Sequence, residues 1–134
     1  MPVKDKKHWR VAPCFLVDDV VATAKFYRDK LGFHYDEFWG KPPRFCMVYR
    51  DGITIMLCQH AAGSRTNGSV DGPWDAYFWV ADADALSATF KRKRVKFILH
   101  VGDREYGCRD FIVDDCNGYR LCFGHDIETR SGVM

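Results

Sequence analysis

The side chains in this sequence best equipped for chemistry are six cysteines, at 14, 46, 58, 108, 116 and 122, and five histidines, at 8, 34, 60, 100 and 125. Thiolate and imidazole are the usual ligands of zinc and its neighbours, and a cysteine becomes a nucleophile when a histidine or a helix N-terminus stabilises its thiolate. No two of these cysteines form a Cys-x-x-Cys pair, so the common zinc and dithiol redox motifs are absent. Disulfides belong to oxidising compartments, and the opening "MPVKDKKHWR" has no apolar signal core, which points to a cytoplasmic chain whose thiols stay free and act as small hydrophobes. Neither a Gly-x-Gly-x-x-Gly nor a Walker pattern occurs, which removes the common nucleotide-binding routes.

The 134 residues, 47% of them hydrophobic, suit one domain with a real core. Twenty basic residues stand against 18 acidic ones, a formal charge of +2, which gives no electrostatic case for nucleic acid. The basic clusters "KDKK" (4–7) and "KRKR" (91–94) read as a solvated terminus and as the last turn of a helix, where cations complement the dipole. No apolar run is long enough to span a membrane.

The elements that must position the reactive side chains come in two matching sets. "FLVDDVVATAKFYRDKLGF" (15–33) runs from a strand into a helix, with Asp18 or Asp19 as cap, Val20, Ala24, Tyr27 and Leu31 at helical spacing, and Gly32 as the stop. "HYDEFW", "RFCMVYR" and "ITIMLC" follow as strands, the last two joined at Asp51-Gly52. "YFWVADADALSATFKRKRVKF" (77–97) repeats the strand-to-helix pattern with Asp82 as cap, and "DFIVDDCNGYRLCFG" (110–124) repeats the final hairpin. One offset relates Val17 to Val80 and Asp19 to Asp82; a slightly longer one relates Gly52 to Gly118 and Leu57 to Phe123. The expected fold is therefore α+β: two tandem βαβββ modules, about 10–60 and 74–126, within a single domain spanning 1–134. A connector over 61–73 joins them. Neither module buries its sheet face alone, so the two should join edge to edge in a curved, mostly antiparallel eight-stranded sheet with helices on its outer face and a groove on the other.

In this order, "VDDVVATAKFYRDKLGF", its half-repeat "VADADALSATF" and the terminal "RDFIVDDCNGYRLCFG" resemble the vicinal oxygen chelate superfamily of glyoxalases, bleomycin-resistance proteins and extradiol dioxygenases. The resemblance covers roughly 10–126, and Cys116 stands where that family usually has proline. Metal-using members carry four groove-facing ligands, typically His, Gln or Glu, on the first and last strands of each module. The motifs carry those places onto Ala12, Met56, Asp75 and Cys122, and the two internal offsets independently relate Ala12 to Asp75 and Met56 to Cys122. Alanine offers no donor and methionine a weak one, so no metal and no cofactor are expected, and the five histidines read as loop or surface residues.

Strand alternation adds Cys14, Cys58, Thr54, Tyr77, Trp79 and Arg120 to the groove face, with Trp39 at its rim. An aromatic floor with one carboxylate and one guanidinium suits a small-molecule pocket, and no catalytic residue is expected, since Cys122 has no visible activating partner. The resemblance then implies a metal-free binding protein of the bleomycin-resistance type, sequestering a flat or aromatic ligand as a homodimer whose grooves are completed across the interface. Relatives that bind bleomycin are acidic, so the mild positive charge points away from bleomycin itself. The alternative is a metal-dependent lyase, isomerase or ring-cleaving dioxygenase. A further arrangement, with Cys14, Cys58, Cys122 and Asp75 gripping a soft ion, depends on how close those strands bring them.

Overall fold

A computed structural model describes residues 9–60 and 73–127. The first repeat comprises β1 (Cys14–Val17), α1 (Val20–Leu31), β2 (Phe38–Trp39), β3 (Phe45–Arg50) and β4 (Ile53–Gln59). The second comprises β5 (Ala76–Trp79), α2 (Ala83–Arg92), β6 (Lys96–Asp103), β7 (Cys108–Asp114) and β8 (Arg120–Asp126). The connector expected at 61–73 lies, except for Pro73, outside the described residues, as do His8 and the 4–7 cluster.

Both helices start and stop where their sequences dictate. Asp19 and Asp82 sit in extended backbone and accept from the amides of Ala22 and Ala85, satisfying donors that the first turn leaves unpaired. Gly32, at φ 77°, closes α1 in the left-handed region that glycine enters without strain, and the Arg50 guanidinium packs against it to reach the Leu31 carbonyl at 2.6 Å. Val20, Ala24, Tyr27 and Leu31 are all buried, as their spacing predicts. The segment "HYDEFW" is shorter as a strand than its composition suggests: only Phe38–Trp39 pairs continuously, with His34 making an isolated bridge to Tyr49.

Each repeat forms a four-stranded mixed sheet, in the orders β1-β4-β3-β2 and β5-β8-β7-β6, with the first pair of each parallel and the rest antiparallel. The eight strands thus fall in two ladders rather than one continuous sheet, with β1 and β5 as the facing edges. The register reproduces the internal repeat: Cys14 pairs with Met56 in the first sheet, and Tyr77 with Cys122 in the second.

One core serves both repeats. Phe15, Tyr27, Ile55 and Leu57 from the first and Phe78, Phe90, Phe111 and Phe123 from the second belong to one buried cluster between the helices and the sheets. Contacts across the halves fix their relation within the chain. Phe15 stacks on Tyr119 with ring centroids 4.1 Å apart, and the Tyr119 hydroxyl donates to Leu16 O at 2.8 Å. Tyr27 Oη donates to the buried carboxylate of Asp115 at 2.6 Å, and the amides of Asn117 and Tyr119 donate to its other oxygen. Burial still raises the Asp115 carboxyl above its ordinary range. With one face of each sheet under the helices, the side chains that alternate away from the core populate an open face.

Candidate functional site

The open face of the second sheet is built around a carboxylate that sequence reasoning did not single out. Asp110 on β7 is fully buried. Tyr77 Oη donates to its Oδ2 at 2.9 Å and Tyr106 Oη to the same oxygen at 2.5 Å, while Arg104 Nε donates to Oδ1 at 2.8 Å. Arg104 also donates to the Asp110 and His100 carbonyls, at 2.9 and 2.7 Å. A buried charge persists when it is paired and hydrogen-bonded, and here an ion pair and two phenols do that work. Desolvation, reinforced by the Asp110 charge, pushes the Tyr77 and Tyr106 phenols well above their ordinary range, so both remain donors.

Gly124 on β8 makes this geometry possible. A Cβ there would overlap the Tyr77 hydroxyl and come within 2.6 Å of the Asp110 Cβ, so only a residue without a side chain lets the phenol cross the strand. Over the network lies a cavity of about 390 Å³ walled by Trp74, Tyr77, Trp79 and Tyr106. The Trp74 ring stands edge-on to Tyr77 at 5.1 Å and to Tyr106 at 6.2 Å, and Tyr77 meets Trp79 at 4.8 Å. Trp79 is 61% exposed, more than a core role for this ring would leave. A second, larger cavity of about 580 Å³ runs between the facing edges, bounded by Val11, Pro13 and Thr54 on one side and Tyr77 and Trp79 on the other.

The first sheet's open face is different. Ala12, just before β1, lines a cavity of about 270 Å³ with Arg10, Met47, Tyr49, Thr54 and Met56. Arg10 donates to the Thr54 hydroxyl at 3.3 Å. Cys14 and Cys58 meet with their sulfurs 3.0 Å apart.

The predicted residues therefore separate into groups. Tyr77 and Trp79 come together and share a wall with Thr54; Ala12, Thr54 and Met56 come together on the first sheet; Trp39 stands apart, in a shallow dip with Asp36, Glu37 and Met47. Asp75 meets Arg120 through the main chain, its Oδ2 accepting from the Arg120 amide at 2.8 Å, while the Arg120 guanidinium lies 3.9 Å from Asp114. Cys122 is fully buried among Asp110, Arg104 and Cys108, and burial followed by the Asp110 charge raises its thiol far above the usual range. One histidine, His125, departs from the loop-or-surface reading, whereas His60 follows β4 as a loop residue. His125, on β8, accepts from the Ala83 amide at its Nδ1 (2.9 Å) at the start of α2, and His60 Nε2 lies 2.6 Å from Asp18 Oδ1 with its side chain 10% exposed.

A sequence profile of the Glyoxalase/Bleomycin resistance protein/Dioxygenase superfamily matches residues 10–123. The chain belongs to this superfamily. Its fold superposes on the bleomycin-binding protein of Streptomyces verticillus, solved with copper(II)-bleomycin, with TM-score 0.63 at 25% identity, covering 90% of this chain and 96% of that one. TioX from Micromonospora sp. ML1 gives TM-score 0.71 at 16% identity over 90% and 100% of the two chains. A superfamily member from Alicyclobacillus acidocaldarius gives 0.72 at 16% over 90% and 92%. No curated protein shows significant sequence similarity.

The superfamily's metal position can be tested against these donors. Ala12 contributes none, Met56 a thioether, Asp75 a carboxylate already accepting a backbone amide, and Cys122 a thiol held protonated by its surroundings. Among the described residues no group of three or more His, Cys, Asp or Glu is arranged to hold a metal. This donor set does not fit a catalytic divalent ion. Nor does Cys122 fit a nucleophile, since its neighbour is an anion, which disfavours thiolate.

Proposed function

We propose that this superfamily member is a small-molecule binding protein that uses no metal at the superfamily's ligand position and sequesters a flat, aromatic ligand. The observation that carries the reading is the cavity of Trp74, Tyr77, Trp79 and Tyr106 on the open face, its two phenols anchored on buried Asp110. Anchoring fixes the rings before a ligand arrives, so less freedom is lost on binding. Offset or edge-to-face contact with such rings contributes about 0.5–1.5 kcal/mol per pair beyond area burial. The cavity between β1 and β5 continues past Tyr77 and Trp79, room for a ligand longer than one ring system. The S. verticillus neighbour, a drug-binding protein of the same fold, supports the class without supplying the ligand. In this reading the protein acts in the cytoplasm as a homodimer, the partner copy closing the open face over the ligand.

Tryptophan fluorescence and thermal shift against a panel of planar aromatic and heteroaromatic compounds test it. A true ligand quenches emission, raises the melting temperature by mass action, and loses both effects in Trp74→Ala and Trp79→Ala. A stoichiometric divalent ion that co-purifies with the wild type and is lost in Asp75→Ala would overturn the reading in favour of a metal-dependent enzyme.

A further inference from the structure

The first sheet's open face carries a feature that ligand binding on the second does not use. Cys14 on edge strand β1 is exposed, Cys58 on the adjacent β4 is partly exposed, and their sulfurs touch at 3.0 Å. Both extend from the side of the sheet opposite the core, as does Met56, which pairs with Cys14 in register and precedes Cys58 by two positions on the same strand. Two thiols and a thioether thus crowd one patch. The exposure of Cys14 leaves this patch open to an ion from solvent.

From this cluster we infer that Cys14, Cys58 and Met56 form a binding site for a soft monovalent cation, Cu(I). Sulfur-only donor sets of thiolate and thioether select Cu(I) over the harder divalent ions. Zinc would need a fourth donor of its usual kind, and none joins these three among the described residues. A disulfide is the competing use of two touching thiols, and the register argues against it. Cys14 pairs with Met56 while Cys58 pairs with Leu16, so the two cysteines are diagonal, offset by two residues. Strand spacing and rise put diagonal backbones about 8 Å apart. Closure to a disulfide is disfavoured when the Cα atoms are more than about 7 Å apart. A bridging ion instead lets the sulfurs sit farther apart than they do now, which this backbone permits without moving.

The balance is simple: one Cu(I) displaces two thiol protons and forms two Cu–S bonds plus a thioether contact, with no change in oxidation state. Both thiol protons leave as the ion binds, so affinity should rise with pH. Cys122, which the sequence offered as a third thiol, is buried in the other sheet beside Asp110 and takes no part.

The test is an anaerobic Cu(I) titration of the reduced full-length chain against the chromophoric chelator bicinchoninate. One equivalent should be retained by the wild type and by Cys122→Ser. Cys14→Ser and Cys58→Ser should each weaken retention at least about 100-fold, and Met56→Leu about 10-fold, with Zn(II) held by none. X-ray absorption at the copper edge of the wild type, which needs no variant to fold, should show three sulfur neighbours. Full surrender of copper to the chelator, unchanged retention in the Cys14→Ser/Cys58→Ser double variant, equal affinity for Zn(II), or nitrogen and oxygen neighbours at the edge would each overturn the assignment. The aromatic-ligand assay on Trp74 and Trp79 is a separate readout, so either proposal can fail while the other stands.

Discussion

Cys14 and Cys58 occupy, on the first sheet, the places that Tyr77 and Gly124 occupy on the second, and the register that aligns them is the same in both halves. In the first half the two side chains meet sulfur to sulfur. In the second, the missing side chain at Gly124 lets the Tyr77 phenol cross to Asp110, whose counterpart by strand pairing is Phe45. The helix side diverges far less: Asp19 and Asp82 cap alike, and Val17, Ile55 and Leu57 share one core with Phe78, Leu121 and Phe123. A shared core ties every position on the helix side to the other repeat, because interiors are close-packed. The open face carries no such tie, so two copies of one backbone can hold a polar anchor on one side and a soft patch on the other.

Breaking the second half's anchor should produce the largest effect. Asp110→Ala removes the buried acceptor shared by the Arg104 Nε and two phenols and leaves the guanidinium only two main-chain carbonyls, and the loss of hydrogen bonds to a charged group should cost about 3 kcal/mol. Urea unfolding reads this directly, and a loss below about 1 kcal/mol would show that the network is not the anchor described. Next comes Gly124→Ala, which forces a methyl group into the Tyr77 hydroxyl and Asp110 and should cost about 1–3 kcal/mol. The matching change in the first half, Cys58→Ala, meets no such obstruction and should stay within about 1 kcal/mol. Equal losses at the two sites would dissolve the contrast between the halves.

How much of this was legible beforehand follows the same division. Helix caps, the Gly32 stop, the repeat and the order of elements were all readable, because each rests on local chemistry or on spacing within one segment. Alternation also placed Cys14, Met56, Cys58, Tyr77 and Trp79 on the face away from the core, where they lie. Contacts across strands were not readable, since which residues meet depends on register and on side-chain reach. Asp110 stands in "CRDFIVD", where an acid in an apolar strand is a faint signal of a buried partner. Its partner Tyr106 lies four residues away across a turn and Arg104 six, close in sequence but visible as a network only once the chain folds back. The division into two ladders was equally hidden, because no sequence feature reports whether β1 and β5 exchange hydrogen bonds.

A smaller effect should separate the halves by pH. Cys58 is raised to about 11, by burial first and by Cys14 second. An unfolded cysteine titrates near 8.5, so the folded chain holds this proton longer. Stability from that site is complete below the unfolded value and is lost as pH climbs through the folded one. Urea midpoints measured from pH 8 to 11 should therefore fall more steeply for the wild type than for Cys58→Ser, while Gly124, the matching position in the second half, has nothing to titrate. Parallel slopes would show that the thiol is not perturbed in this way.

The smallest effect lies where the halves differ by a single functional group. Gln59 Oε1 accepts from the Val20 amide at 2.8 Å at the start of α1, and His125 Nδ1 accepts from the Ala83 amide at 2.9 Å at the start of α2. Both satisfy the same orphan donor, one with an amide oxygen and the other with a ring nitrogen that must carry no proton to accept. At pH 8, His125→Gln should leave stability within about 0.5 kcal/mol, whereas His125→Ala, which leaves the donor unpaired, should cost about 1 kcal/mol. Gln59→Ala should cost α1 about as much as His125→Ala costs α2, since each removes the acceptor of the first helical amide. Equal urea midpoints for His125→Ala and the wild type would show that the ring nitrogen is a bystander and that the Ala83 amide is satisfied without it.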